Sequence, residues 1–201
     1  SLLARAFFMS TPLILGALGE VIAERTGMMV TAVEGIFLIG AWGGFIGAYI
    51  SGNIYLGFLL AMVCGLMVAL LYALTTVYMN QHQIVMGTAI SILVTGFCTF
   101  FYRVIFGIQT TPLKVEVLST IQIPVLSQIP FIGKILFSQN VITYLAYLLI
   151  PIILFVMNHT ALGLTLRSCG ENPEAVDTAG IDILKIRFVA VAVAGCLGGI
   201  A

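Results

Sequence analysis

Six apolar runs, near residues 7–23, 34–50, 56–78, 84–106, 141–157 and from about 183 to the end, constrain this chain more than any motif in it. They approach or exceed the ~20 residues that a helix needs to cross a bilayer. Hydrocarbon offers no partner to a free backbone N–H or C=O, so helices and closed barrels are the spanning options. The runs lack the alternating polar and apolar period of a barrel strand. The expected fold class is therefore all-α, a polytopic transmembrane helical bundle. Composition agrees: 8% of the residues are charged and 61% hydrophobic, with a mean hydropathy of +1.17. A soluble domain needs about 25% charged residues to cover its surface.

A formal net charge of zero gives no basic surface for nucleic acid. The four cysteines, Cys64, Cys98, Cys169 and Cys196, are widely spaced and lack a metal-ligand pattern. They read as small buried hydrophobes. The chain opens on Ser1 and stops at "GCLGGIA" within an apolar run, so a fragment is expected, a single truncated transmembrane domain over 1–201. The first run has neither the basic n-region nor the cleavage site of a signal peptide.

The connectors differ in kind. "SGN" (51–53) is a tight turn and "NQHQ" (80–83) a short hairpin tip. Residues 107–140 form a long connector broken by Pro112, Pro124 and Pro130, expected on the interface. Residues 158–182 are polar. Arg167, Lys185 and Arg187 flank that segment more densely than Arg103, Lys114 and Lys134 flank the long connector. The positive-inside rule then makes 158–187 cytoplasmic. By alternation 80–83 and 24–33 are also inside, while 51–53 and 107–140 are extracellular. Glu20, Glu24, Arg25 and Glu34 fall within or between the first two runs, and two readings stay open. Segment 19–52 is either a broken helix lining a pathway or two helices with an ordinary loop, packed through Gly40, Gly43, Gly44 and Gly47.

Between Arg167 and Arg187 lie seven of the sixteen charged residues, in "RSCGENPEAVDTAGIDILKIR". Asn172 is a good N-cap, and Pro173 suits the first helical position. Glu174 and Asp177 complement the positive helix end. Gly180 stands where a left-handed C-cap belongs, and Asp182 can cap the next helix. The pattern predicts a short helix over 173–179, too short to stand alone in water.

"EAVDTAG" (174–180) resembles the EAA-x-x-x-G signature of ATP-binding-cassette (ABC) import permeases, with Val176 for the second Ala. "GENPEAVDTAGI" is similar to the cytoplasmic loop of the permease family for branched-chain amino acids, simple sugars and nucleosides. "TPLILGALGEVIAERTG", "EGIFLIGAWGGF" and "IPVLSQIPFIGKILFSQN" resemble its nucleoside and simple-sugar branch. The chain departs from that branch at Val30, at "QHQ" (81–83) and at Ser91, where the branch carries amide side chains.

The resemblance implies a multi-pass permease of a bacterial plasma membrane, without chemistry or cofactor of its own. Its implied partners are a separate ABC ATPase subunit that uses ATP, a second like or related permease, and an extracellular substrate-binding protein. It also implies ATPase-coupling contacts at Glu174, Ala175 and Gly180, with Arg167, Glu171 and Asp177 beside them. The chain has no G-x-x-x-x-G-K-[ST] phosphate cradle, so the ATPase must be another polypeptide.

Polarity within the apolar runs marks Glu34, Trp42, Gln83, Thr88, Ser91 and Thr95 as translocation-pathway candidates. Thr88, Ser91 and Thr95 share one helix face. Each hydroxyl could instead bond its own backbone. The alternative function is an ion-coupled secondary transporter using Glu34 and Glu20. An intramembrane enzyme ranks last, because no nucleophile–base pair or metal cluster stands out.

Overall fold

The structure, a computed structural model, describes residues 2–107, 121–122 and 138–201. It is helical as expected: α1 (Leu2–Glu24), α2 (Val33–Ser51), α3 (Ile54–Ala73), α4 (Gln83–Phe106), α5 (Val141–His159), α6 (Ala161–Glu171), α7 (Pro173–Thr178) and α8 (Ile183–Ile200). Among the described residues five spans, Val33–Ser51, Ile54–Tyr78, Gln83–Phe106, Val141–His159 and Ile183–Ile200, are long and apolar enough to cross a membrane. Most of the 107–140 connector lies outside the described residues. Within it β1 (Ile121–Gln122) pairs antiparallel with β2 (Ser138–Gln139).

Sequence punctuation explains the helix ends. Gly52 adopts φ 63° and closes α2 by donating to the Ala48 carbonyl at 3.0 Å. The Asn53 side chain accepts from the Tyr55 N–H at 3.0 Å and starts α3 at once. Segment 19–52 is accordingly two helices joined by a loop over 25–32. Thr160 caps α6 by accepting from the Gly163 N–H. That helix was not anticipated in 158–182, because its start signal lies directly against the end of α5 with no intervening breaker. At its far end α3 runs into one π-helical turn, Leu74–Tyr78, where the Thr76 hydroxyl bonds the Tyr72 carbonyl at 2.7 Å.

The core is built on close backbone approach. Lipid tails are as apolar as Leu, so helices in a bilayer associate through tight packing rather than water exclusion. α3 and α8 run antiparallel: Ala61 faces Gly199, and Ala69 faces Gly195. A β-carbon on Gly199 would sit 2.6 Å from the Ala61 carbonyl, and one on Gly40 would strike the Gly199 carbonyl. α2 lies along both, α1 covers α8 near Gly19 and Ala194, and α5 leans on α1. There the Thr11 and Thr143 hydroxyls meet at 3.0 Å. α4 packs on the other side of α2 and parallel to it, as successive pairs Gly35–Ser91, Trp42–Phe97 and Phe45–Phe106 require.

Candidate functional site

At one end of the bundle α6 and α7 form a projecting arm, and α7 is its knob. Each end of α7 is fixed by its own residues. The Asn172 side chain accepts from the Ala175 N–H at 3.2 Å, and Pro173 fills the first position. Gly180, at φ 79°, ends the helix, and its N–H donates to the Asp177 carbonyl at 2.9 Å. The Ile181 N–H returns to the Val176 carbonyl. Asp182 then caps α8 by accepting from the Lys185 N–H at 3.1 Å and pairs with its ammonium at 3.0 Å. The Lys185 contact holds the Asp182 carboxyl below the usual carboxylate range.

Val176 turns inward and is 4% exposed, while Glu174, Ala175, Asp177 and Gly180 all face outward. The knob is thus rooted by one apolar side chain and shows a small, acidic face. Glu171 is exposed at the foot of α6. Arg167 is not part of that face: its guanidinium reaches back to the Asn158 side chain at the end of α5.

Against the arm sits the loop 25–32, and it is bonded to α1, α3, α4 and α8. Arg187 donates from Nε to the Thr26 carbonyl at 3.0 Å and from its terminal nitrogen to the Cys169 carbonyl at 3.4 Å. The Val30 N–H donates to a Glu20 carboxylate oxygen at 2.8 Å. The Tyr72 hydroxyl donates to the Met29 carbonyl at 2.5 Å. Gln83 accepts from the Met29 N–H at 2.9 Å, and its own carbonyl accepts the Thr31 hydroxyl at 2.8 Å. Glu20 therefore works as a backbone cap for the loop.

The pathway candidates do not form one constellation. Gln83 belongs to the loop clasp just described. Glu34 is exposed in the first turn of α2. Trp42 packs edge-on against Phe97 and Phe101, at ring distances of 5.6 and 6.2 Å, and fills the α2–α4 seam. Thr88, Ser91 and Thr95 do share a face of α4, about a third of a turn round from those phenylalanines at 3.6 residues per turn. Thr88 and Thr95 are exposed, and both hydroxyls bond carbonyls of their own helix.

The stripe continues to Thr99, bonded to the Thr95 carbonyl at 2.8 Å, which the sequence reading missed though its spacing announces it. Tyr72, Thr26, Thr31 and Arg187 were missed too. Only Arg187 had drawn notice, and only as a flanking charge. Among the described residues no group of three His, Cys, Asp or Glu side chains is placed to hold a metal.

Membrane-length helices packed through glycine, carrying a capped arm at one end, define a polytopic helical membrane protein. The chain belongs to the family described as branched-chain amino acid transport system, permease component, whose model matches residues 2–201. It is 33% identical over 196 residues to the putative glucose ABC transporter permease protein TsgC13 of Haloferax volcanii, covering 96% of this chain and 58% of that one. It is 36% identical over 198 residues to the guanosine ABC transporter permease protein NupQ of Bacillus subtilis, covering 95% and 62%. It is 33% identical over 207 residues to the nucleoside ABC transporter permease protein NupC of Lactococcus lactis, covering 99% and 65%. The chain thus spans about three fifths of the length of these curated relatives. No solved structure matches it significantly.

Proposed function

We propose that this chain is the membrane-spanning permease part of an ABC importer for a nucleoside or simple sugar. It lies in a plasma membrane, with the knob end facing the cytoplasm. The family and the relatives' named activities support the transport class. The observation that carries the mechanism is the knob: a six-residue helix, capped at both ends, rooted by Val176, with Glu174, Ala175, Asp177 and Gly180 facing outward. Of this helix only Val176 is buried, which leaves its outward face to a partner. Its small residues admit close docking, and its caps let it pass force without fraying. Its partner is a separate ATPase subunit. A second permease and an extracellular binding protein complete the assembly, and the solute passes along the Thr88, Ser91, Thr95 and Thr99 face of α4.

Gly180 provides the test. A β-carbon there meets nothing within 4 Å in this chain, so only the backbone conformation resists substitution. Gly180→Asn keeps access to the left-handed region while adding bulk to the docking face. In the full-length permease, Gly180→Asn is expected to insert normally but to lose ATPase binding and ATP-driven uptake. Gly180→Asn with full ATPase binding and uptake would remove the knob from the coupling path. Uptake by wild-type vesicles should require ATP and persist under an uncoupler.

A further inference from the structure

Two segments far apart in sequence, around Thr26 and Cys169, converge on one guanidinium. Arg187, in the first turns of α8, donates to the Thr26 carbonyl at 3.0 Å and to the Cys169 carbonyl at 3.4 Å. Both acceptors sit where a helix ends: Thr26 two residues beyond α1, and Cys169 in the last turn of α6. Helix C-termini concentrate partial negative charge, which a cation there relieves. Thr26 and Cys169 are both 0% exposed. Among the described residues no carboxylate lies within 4 Å of Arg187. The backbone of two helix ends therefore does the work that a counter-ion would otherwise do.

The contact leaves little slack. A β-carbon on Gly170, at the end of α6, would lie 2.5 Å from the Arg25 carbonyl. One on Gly27, at φ 82°, would come within 3.4 Å of the guanidinium. The arm and the loop 25–32 touch backbone to backbone, with Arg187 as their shared donor. Beyond that contact the loop passes directly to two spanning helices, through Met29 to Tyr72 on α3 and through Met29 and Thr31 to Gln83 on α4.

We infer that Arg187 is a positioning residue that locks the α6–α7 arm to the loop 25–32, making this loop the lever through which displacement of the arm reaches α3 and α4. The inference rests on the reading of α7 as the ATPase-docking knob. A rigid unit moves as one only while its joint holds. Arg suits this joint because its planar fork can serve two carbonyls at fixed angles, whereas Lys offers a point charge.

The test uses the full-length permease assembled with its ATPase in proteoliposomes, as wild type, Arg187→Met and Arg187→Lys. Amide hydrogen exchange is followed with and without ATP in the arm, 161–180, and in the loop, 26–31. In the wild type both segments should respond to ATP. In Arg187→Met the arm should still respond and the ATPase stay bound, while the loop ceases to respond. Uptake should fall on the order of tenfold, within the range of ordinary coupling free energies. Arg187→Lys should restore part of the loop response and of uptake.

An Arg187→Met loop that still follows ATP as in the wild type overturns the inference while leaving the docking reading intact. A wild-type arm that ignores ATP overturns the docking reading, and this inference with it. Should Arg187→Met fail to assemble, Arg187→Lys carries the same decision, and an undiminished loop response with undiminished uptake there counts against the joint.

Discussion

Glycine does two different jobs in this chain, and the neighbours of each residue separate them. At Gly199 a β-carbon would press on the Ala61 carbonyl at 2.6 Å and on the Gly65 α-carbon at 3.1 Å, both backbone atoms that cannot rotate away. Gly199→Ala should therefore force α3 and α8 apart, with an overpacking cost of about 1–3 kcal/mol. Gly96, on the exposed side of α4, meets nothing within 4 Å. Gly96→Ala should be neutral or gain up to ~1 kcal/mol from helix propensity. Thermal unfolding in detergent compares the two, and equal midpoints would mean that the α3–α8 approach is not the stabilising contact. The composition displays twenty-one glycines but not which ones touch backbone. That depends on which helices pair.

At the scale of elements, the short arm helix and the hydroxyl stripe make opposite predictions. α7 has six residues and owes its form to its ends. Removing the N-cap by Asn172→Ala should cost about 1 kcal/mol and speed amide exchange at Ala175 while the spanning helices stay protected. Unchanged exchange there would mean that docking of Val176, rather than the cap, holds the helix. The α4 stripe should behave otherwise. Thr88→Val, Ser91→Val and Thr95→Val together remove two hydroxyls bonded within α4 itself and, at Ser91, a buried hydroxyl that packs against Gly35 without a hydrogen-bond partner among the described residues. The two exposed threonine changes should each move stability by no more than about 0.5 kcal/mol, as for surface changes generally. Ser91→Val, which adds bulk against Gly35, should cost about 1–3 kcal/mol, while uptake kinetics change with the ATPase still bound. Unaltered kinetics would return the stripe to a purely local role.

These two elements also mark how far local sequence carried. The caps of α7 were legible because Asn-Pro at the start and Gly at the end act on adjacent backbone. The face shared by Thr88, Ser91 and Thr95 was legible from 3.6-residue periodicity. Trp42 and Gln83 were legible only as polar or aromatic residues in apolar runs. Their actual partners, Phe97 and the Met29 N–H, lie 55 and 54 positions away in the chain and follow from how α4 settles on α2 and the loop.

At the scale of the whole molecule the loop 25–32, the clasp at Gln83 and the arm come together at one end of the bundle. Gly52 lies at the opposite end of α2 from that loop. Alternation of spans requires this, and it yields a topological prediction. A membrane-impermeant thiol reagent applied to sealed right-side-out vesicles should label a cysteine placed at Gly52 and spare one placed at Asp177, with the reverse in inverted vesicles. Labelling of both positions from the same side would break the alternation and with it the assignment of the arm to the cytoplasm.

Class and the capped knob were determined by the sequence alone, because each rests on local interactions: apolar length against bilayer thickness, and side-chain caps on nearby backbone. Of the six apolar runs, five stand as membrane-length helices among the described residues. Tertiary structure decided the rest. Segment 19–52 became two helices because Glu20, Tyr72, Gln83 and Arg187 satisfy the backbone of the loop between them. Three of these four bonds join residues more than 40 positions apart, a separation at which no local pattern can announce a partner.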